Sequence, residues 1–171
     1  MLELGKPGQA GAGKGEVPVL RDGGPVGLLR STASWQEGSL AVVGDREWVL
    51  GRRRGGALVG RWAVDPEDTA RLRAEQTPAW RGSWRVDLDG PVVHLELASW
   101  WRGTYRFVAD GATVAEGGST GGWSPRPTLT AGADLPLDAQ VFLLWFQLVL
   151  HRRQYGIVHA AAIGGAVAGS S

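Results

Sequence analysis

The chain has 171 residues, a formal net charge of +1, nine tryptophans and no cysteine. Its length suits one domain with a real core, and the near-neutral balance argues against bulk electrostatic capture of nucleic acid. The missing thiols exclude disulfides, a thiol nucleophile and cysteine-ligated metal, which fits a reducing compartment.

The start of the chain is Gly-rich and is expected to be a flexible segment over residues 1–16. It lacks the apolar run of a signal peptide, so a cytoplasmic address is the expectation. Within it, Gly8 to Gly15 (GQAGAGKG) nearly spells a phosphate-binding loop, with Gly8, Gly13 and Lys14 at the right spacing. The motif then requires Ser or Thr and finds Gly15, and Val17-Pro18-Val19 stands where a helix should follow. No nucleotide site is expected there.

From Val17 the punctuation is that of an all-β protein. Val17 to Leu20 and Val26 to Arg30 flank Asp22-Gly23 and read as a hairpin. Ser39 to Val43, Trp48 to Arg52 and Leu58 to Val64 read as further short strands. Arg52, Arg53 and Arg54 precede Gly55-Gly56 at a hairpin mouth, which makes them either a solvated turn or a candidate anion and lipid contact. Asp65-Pro66-Glu67-Asp68 places a cap, a first-turn proline and two acids in order, so Asp65 to Gln76 is expected to be a short exposed helix or turn connecting two parts of the barrel, with Glu67 and Arg71 four apart on one face.

Strand grammar resumes with Trp84, Val86 and Leu88 alternating against Arg85 and Asp87. Asp89-Gly90 then turns the chain into Val92 to Ala98, where Val93, Leu95 and Leu97 form the dry face. The next strand is expected across Trp100 to Val108. Asp110-Gly111 leads into Thr113 to Ala115, Gly117 to Gly122 reads as a loop, and Arg126 to Thr130 as the last strand.

Asp134 to Gln154 reads as a helix and is the densest apolar stretch of the chain. Asp134 is placed to cap it, Pro136 sits where an N–H is not missed, and His151, Arg152 and Arg153 suit its last turn. Between Val141 and Leu150 only Gln147 is polar, so the apolar surface runs all round and the helix must be enclosed. That stretch is shorter than the roughly twenty apolar residues needed to span a bilayer. The strands elsewhere imply a sheet curled around it, making residues 17–155 one domain. The tail, residues 156–171, is small, apolar and Gly-broken; it carries no clear element, a closing strand followed by disorder being one reading.

Leu88 to Leu150 resembles the tubby-like superfamily, in particular its LURP-one-related and phospholipid-scramblase-like members. The resemblance is carried by W-x-x-x-Y-x-F-x-x-D-G (Trp101, Tyr105, Phe107, Asp110, Gly111) and by D-L-P-L-x-x-Q-V-F-L-x-W from Asp134 to Trp145. It implies a mainly β fold in which a closed antiparallel barrel encloses a central hydrophobic C-terminal helix. No segment matches the calcium-binding stretch of the scramblase members or the basic phosphoinositide pocket of tubby proteins.

No catalytic constellation emerges. His94, His151 and His159 lack partners at metal-ligand spacing. Ser99, His94 and Asp87 are not supported by a nucleophile turn. The chain is therefore expected to be non-enzymatic, without cofactor or metal. Gln147, in a narrow polar stripe with Gln140, His151 and Gln154, is expected to bond barrel-wall carbonyls. Three function classes stay open: a weak binder of anionic phospholipid surface through Arg52, Arg53 and Arg54 with nearby tryptophans, a structural or protein-interaction module, and a small-molecule-binding barrel. No nucleic-acid partner is expected, and neither a protein partner nor an oligomeric state is implied.

Overall fold

A computed structural model describes residues 1–32, 37–77, 83–99, 104–121 and 125–164, with the backbone course alone for 99 and 154–164. Among these residues, twelve antiparallel strands close into a barrel around one α-helix. In chain order they are β1 (Leu2–Leu4), β2 (Glu16–Arg21), β3 (Gly24–Ser31), β4 (Ser39–Val43), β5 (Arg46–Arg52) and β6 (Leu58–Trp62). Then come β7 (Leu72–Gln76), β8 (Trp84–Leu88), β9 (Val92–Ser99), β10 (Thr104–Ala109), β11 (Ala112–Ser119), β12 (Pro127–Ala131) and the helix α1 (Leu137–Gly164). Each strand from β2 to β12 pairs with its sequence neighbour, and β1 pairs with both β2 and β12 to close the ring. The wall therefore has no free edge among the described strands.

Local chemistry explains most of the strands. Asp22-Gly23 and Asp110-Gly111 both adopt positive φ, the backbone that a two-residue hairpin turn requires and that Asp-Gly tolerates. Trp84, Val86, Leu88, Val93 and Leu95 point inward as their alternation requires. Leu97, the third member of the β9 alternation, is 50% exposed at the far end of its strand, beyond that strand's last buried layer.

The helix fills the barrel. Val141 through Gln147, then Val149 and Leu150, are all buried, which covers every direction around the helix axis. Small wall residues let it in. A Cβ at Gly60 would lie 3.3 Å from Phe142 Cδ2, and one at Gly117 would lie 2.2 Å from Gln147 Oε1. At the helix start, Asp138 pairs with Arg46 at 3.1 Å, and the Gln140 amide donates to the Leu135 carbonyl at 2.6 Å.

Several expectations are corrected. Residues 1–16 are not merely a lead-in, because Leu2 and Leu4 are 1% and 2% exposed and their strand closes the wall. Asp65 to Gln76 is not a helix. The cap pattern makes one turn, Thr69 N–H to Pro66 O at 3.1 Å, and then Leu72 and Ala74 enter the core as β7 between β6 and β8. Burial of two inward side chains in a wall that must stay continuous outweighs the local helix signal. Arg71 pairs with Asp65 at 2.6 Å rather than with Glu67. Residues 117–119 continue β11 instead of looping.

The helix starts at Leu137, leaving Asp134 in the preceding turn, and runs to Gly164. His151, Arg152 and Arg153 thus lie mid-helix, since the Ala-rich run after Ile157 favours continuation over a stop. A helix of 28 residues is about 42 Å long and outruns strands of at most eight residues. The first part of the expected strand from Trp100, including Trp101 of the tubby-like signature, lies outside the described residues.

Candidate functional site

The up-and-down topology gives the barrel two distinct ends. The helix enters at the end that carries the β2–β3, β4–β5, β8–β9 and β10–β11 turns. It leaves at the end that carries the β1–β2, β3–β4, β5–β6, β7–β8, β9–β10 and β11–β12 connections. The charges are sorted between these ends. Entry-end turns bear Asp22, Asp45, Asp65, Asp89, Asp110 and Asp134 with Asp138 in the first helical turn, and Arg71, Arg46 and the Met1 ammonium pair with four of them. Described exit-end residues include Lys6, Lys14, Arg30, Arg52, Arg54, Arg126, Arg152 and Arg153, against Glu16, Glu37 and Glu75. A net charge of +1 thus conceals an acid pole and a basic pole.

The expected triad divides into different roles. Arg53 donates to the carbonyls of Asp68, Glu67 and Thr69 at 2.8, 2.7 and 2.6 Å. These bonds tie the β6–β7 connection to the β5–β6 turn. Arg53 is therefore a structural clamp. Arg52 and Arg54 are exposed and make no ion pair among the described residues.

Arg52 lines a cavity of about 400 Å³ at the exit mouth, together with Gly55, Gly56, Ala57, Glu75, Gln76, Trp84 and Arg153. Arg153 is held rigidly. It donates to both oxygens of Glu37 at 2.5 and 2.6 Å, and its guanidinium lies 5.5 Å from the Trp84 ring centroid. The Arg153 bonds hold the Glu37 carboxyl below its ordinary value, with burial opposing and the fields of Arg153 and Arg52 helping. Glu75 is paired with Arg73. With two acids each matched to an arginine, Arg52 is the uncompensated charge among the described residues that line this mouth. Sequence reasoning missed Glu37 and Arg153 because 116 residues separate them.

The remaining candidates do not form a reactive centre. Gln147 is fully buried, but neither amide atom has a hydrogen-bond partner among the described residues, so the expected bonds to wall carbonyls are absent there. Its amide is pressed against Gly117, where helix and wall approach closely. Tyr105, opposite Gly117 in the β10–β11 ladder, and His151, one helical turn beyond Gln147, have ring centroids 5.8 Å apart. At the entry end Trp62 is covered by Arg71, 3.6 Å from its centroid, and packs edge-on against Trp48 at 6.0 Å. Trp48, Trp84 and Trp145 are buried and Trp62 half-buried, while Trp35, Trp80, Trp100, Trp101 and Trp123 lie outside the described residues.

The near phosphate-binding run falls between β1 and β2, so the strand that follows it leaves no helix N-terminus for a phosphate. Among the described residues no group of His, Asp and Glu is placed to hold a metal ion. No helix of the described residues is long and apolar enough to cross a membrane. The chain matches no protein-family model, and no curated protein or solved structure matches it.

Proposed function

We propose that the protein is a non-catalytic barrel, cytoplasmic and peripheral to the membrane, whose basic exit end rests reversibly on anionic phospholipid. The observation that carries this reading is the sorting of charge along the barrel axis. An anionic surface attracts the end bearing Arg52, Arg54, Arg126 and Arg152 and repels the Asp-rich turns, so attraction and orientation have one cause. The resemblance to tubby-like and scramblase-like barrels supports the same assignment at the level of fold. Each arginine near such a surface contributes about 1 kcal/mol, which makes the contact transient and salt-sensitive.

The test is co-sedimentation with phosphatidylserine vesicles at low and physiological salt. Wild type is compared with a variant carrying Arg52→Ser, Arg54→Ser and Arg152→Ser, which spares the structural Arg53. Binding at low salt that fades with added salt and drops in the triple variant is expected. Absence of binding at low salt, or indifference to the three changes, sinks the reading.

A second reading is a structural or protein-interaction module with no lipid role. It is favoured by the four described tryptophans, which serve the core or pack under arginines and so supply no interfacial aromatic belt. A ligand in the lumen, the third class, competes for space that the helix occupies.

A further inference from the structure

We propose that the exit-mouth cavity is a selective site for a singly charged phosphodiester carrying a small polyol, the chemistry of a phosphoglycerol headgroup. The proposal rests on the basic-end reading for the origin of its ligand, but its chemistry follows from the cavity alone. At about 400 Å³ the cavity is within the range of roughly 300–1,000 Å³ typical of small-molecule sites.

Charge sets the valence of the ligand. Arg153 is already matched by Glu37, and Glu75 by Arg73, leaving Arg52 as the one free guanidinium among the described lining residues. One anionic group is neutralised there. A phosphate monoester, with a charge of about −1.5 to −2 at neutral pH, leaves excess negative charge facing Glu75. A diester carries one charge and presents two free oxygens to the planar fork of Arg52.

The rest of the lining suits hydroxyls. The Glu75 carboxylate accepts from them, and the Gln76 amide both donates and accepts. Gly55 and Gly56, both with positive φ, keep the rim free of side chains. Arg153 is fixed by Glu37 and the Trp84 ring, so the wall of the site is ordered before any ligand arrives.

The full chain is titrated calorimetrically with soluble glycerophosphoglycerol, and separately with phosphatidylcholine vesicles containing phosphatidylglycerol, phosphatidylserine or phosphatidylinositol bisphosphate at matched surface charge. Preference for phosphatidylglycerol is expected. Arg52→Gln is expected to reduce phosphoglycerol binding about tenfold, the loss of one charge-assisted contact. Arg54→Gln, at the same end but outside the cavity, weakens all anionic vesicles alike. Glu75→Gln is expected to erode discrimination against the bisphosphate lipid.

Equal binding to all three lipids, with Arg52→Gln no worse than Arg54→Gln, overturns the site and leaves the surface reading standing. Arg52-dependent binding of the soluble diester without vesicle binding supports the site and overturns the surface reading. No binding of either probe overturns both. Circular dichroism on each exposed-residue variant verifies the fold.

Discussion

Gln147 offers the sharpest test of how the helix is packed. Its amide is 0% exposed and neither Oε1 nor Nε2 has a partner among the described residues, a burial that mutational data place at about 1–3 kcal/mol. Gln147→Met keeps the length of the side chain and removes both orphaned atoms. It should stabilise the protein by up to about 3 kcal/mol, with roughly 2–4 °C of Tm for each kcal/mol in a chain of this size.

Gly117→Ala tests the other side of the same contact. Its Cβ would lie 2.2, 2.5 and 2.8 Å from Oε1, Cδ and Nε2 of Gln147, none of which has space to retreat in a filled lumen. Overpacking of that kind costs about 1–3 kcal/mol. In a Gln147→Ala background those three atoms are gone, so the cost of Gly117→Ala should fall by at least about 1 kcal/mol. Urea unfolding followed by tryptophan fluorescence, with unchanged m, measures all four corners of the cycle. Additive effects, or clear destabilisation by Gln147→Met, would refute the account of a forced and unsatisfied amide.

Other parts of the structure give independent checks. Trp145→Ala, at a position 1% exposed and packed on Phe142 at 5.6 Å, should cost roughly 3–5 kcal/mol; an unchanged melting temperature would place the helix outside the barrel. Leu2→Ala should cost about 2–5 kcal/mol in the same assay, whereas a flexible leader predicts no change.

The Glu37–Arg153 pair gives a pH signature. Because the folded carboxyl titrates below its ordinary 4.5, its contribution is fully present above that pH and disappears as pH falls through the depressed value. The gap in urea midpoint between wild type and Glu37→Gln should be level from neutral pH down to 4.5 and narrow below it. A gap that widened on acidification would contradict the pairing.

What the sequence displayed and what it hid divide along the range of the interactions. Asp-Gly pairs announce their turns because the backbone demand is met by the two residues themselves, and Val141 to Leu150 announces enclosure because no face of the helix is polar. Leu2–Leu4 was illegible: three residues ahead of a glycine carry no periodicity, and their partners stand at Leu129 and Arg21. At Asp65 to Gln76 the capping residues do make a turn, yet whether Leu72 faces a lumen or solvent depends on strands far along the chain. The site was legible only in part. Arg52 is distinguished from Arg53 by what each meets after folding, and neighbouring arginines look alike in one dimension. The poles were hidden for a simpler reason. Each Asp-Gly turn contributes one ordinary charge, and only the alternation of strand direction gathers those charges at one end.

The three-residue β1 also determines where the wall gives way. It meets β12 over the pairs Leu2–Leu129 and Glu3–Thr128, two pairs where the β1–β2 and β6–β7 seams have three and the other seams four or more. Loss of that seam would bare two strand flanks at once, β2 and β12, each with unpaired amides and carbonyls facing outward. Native-state hydrogen exchange should therefore find its lowest sub-global opening along β1, β2 and β12. Strand exchange between molecules would begin there too, so mutations that loosen Leu2 or Leu4 should raise aggregation before they lower the melting temperature of the remaining wall.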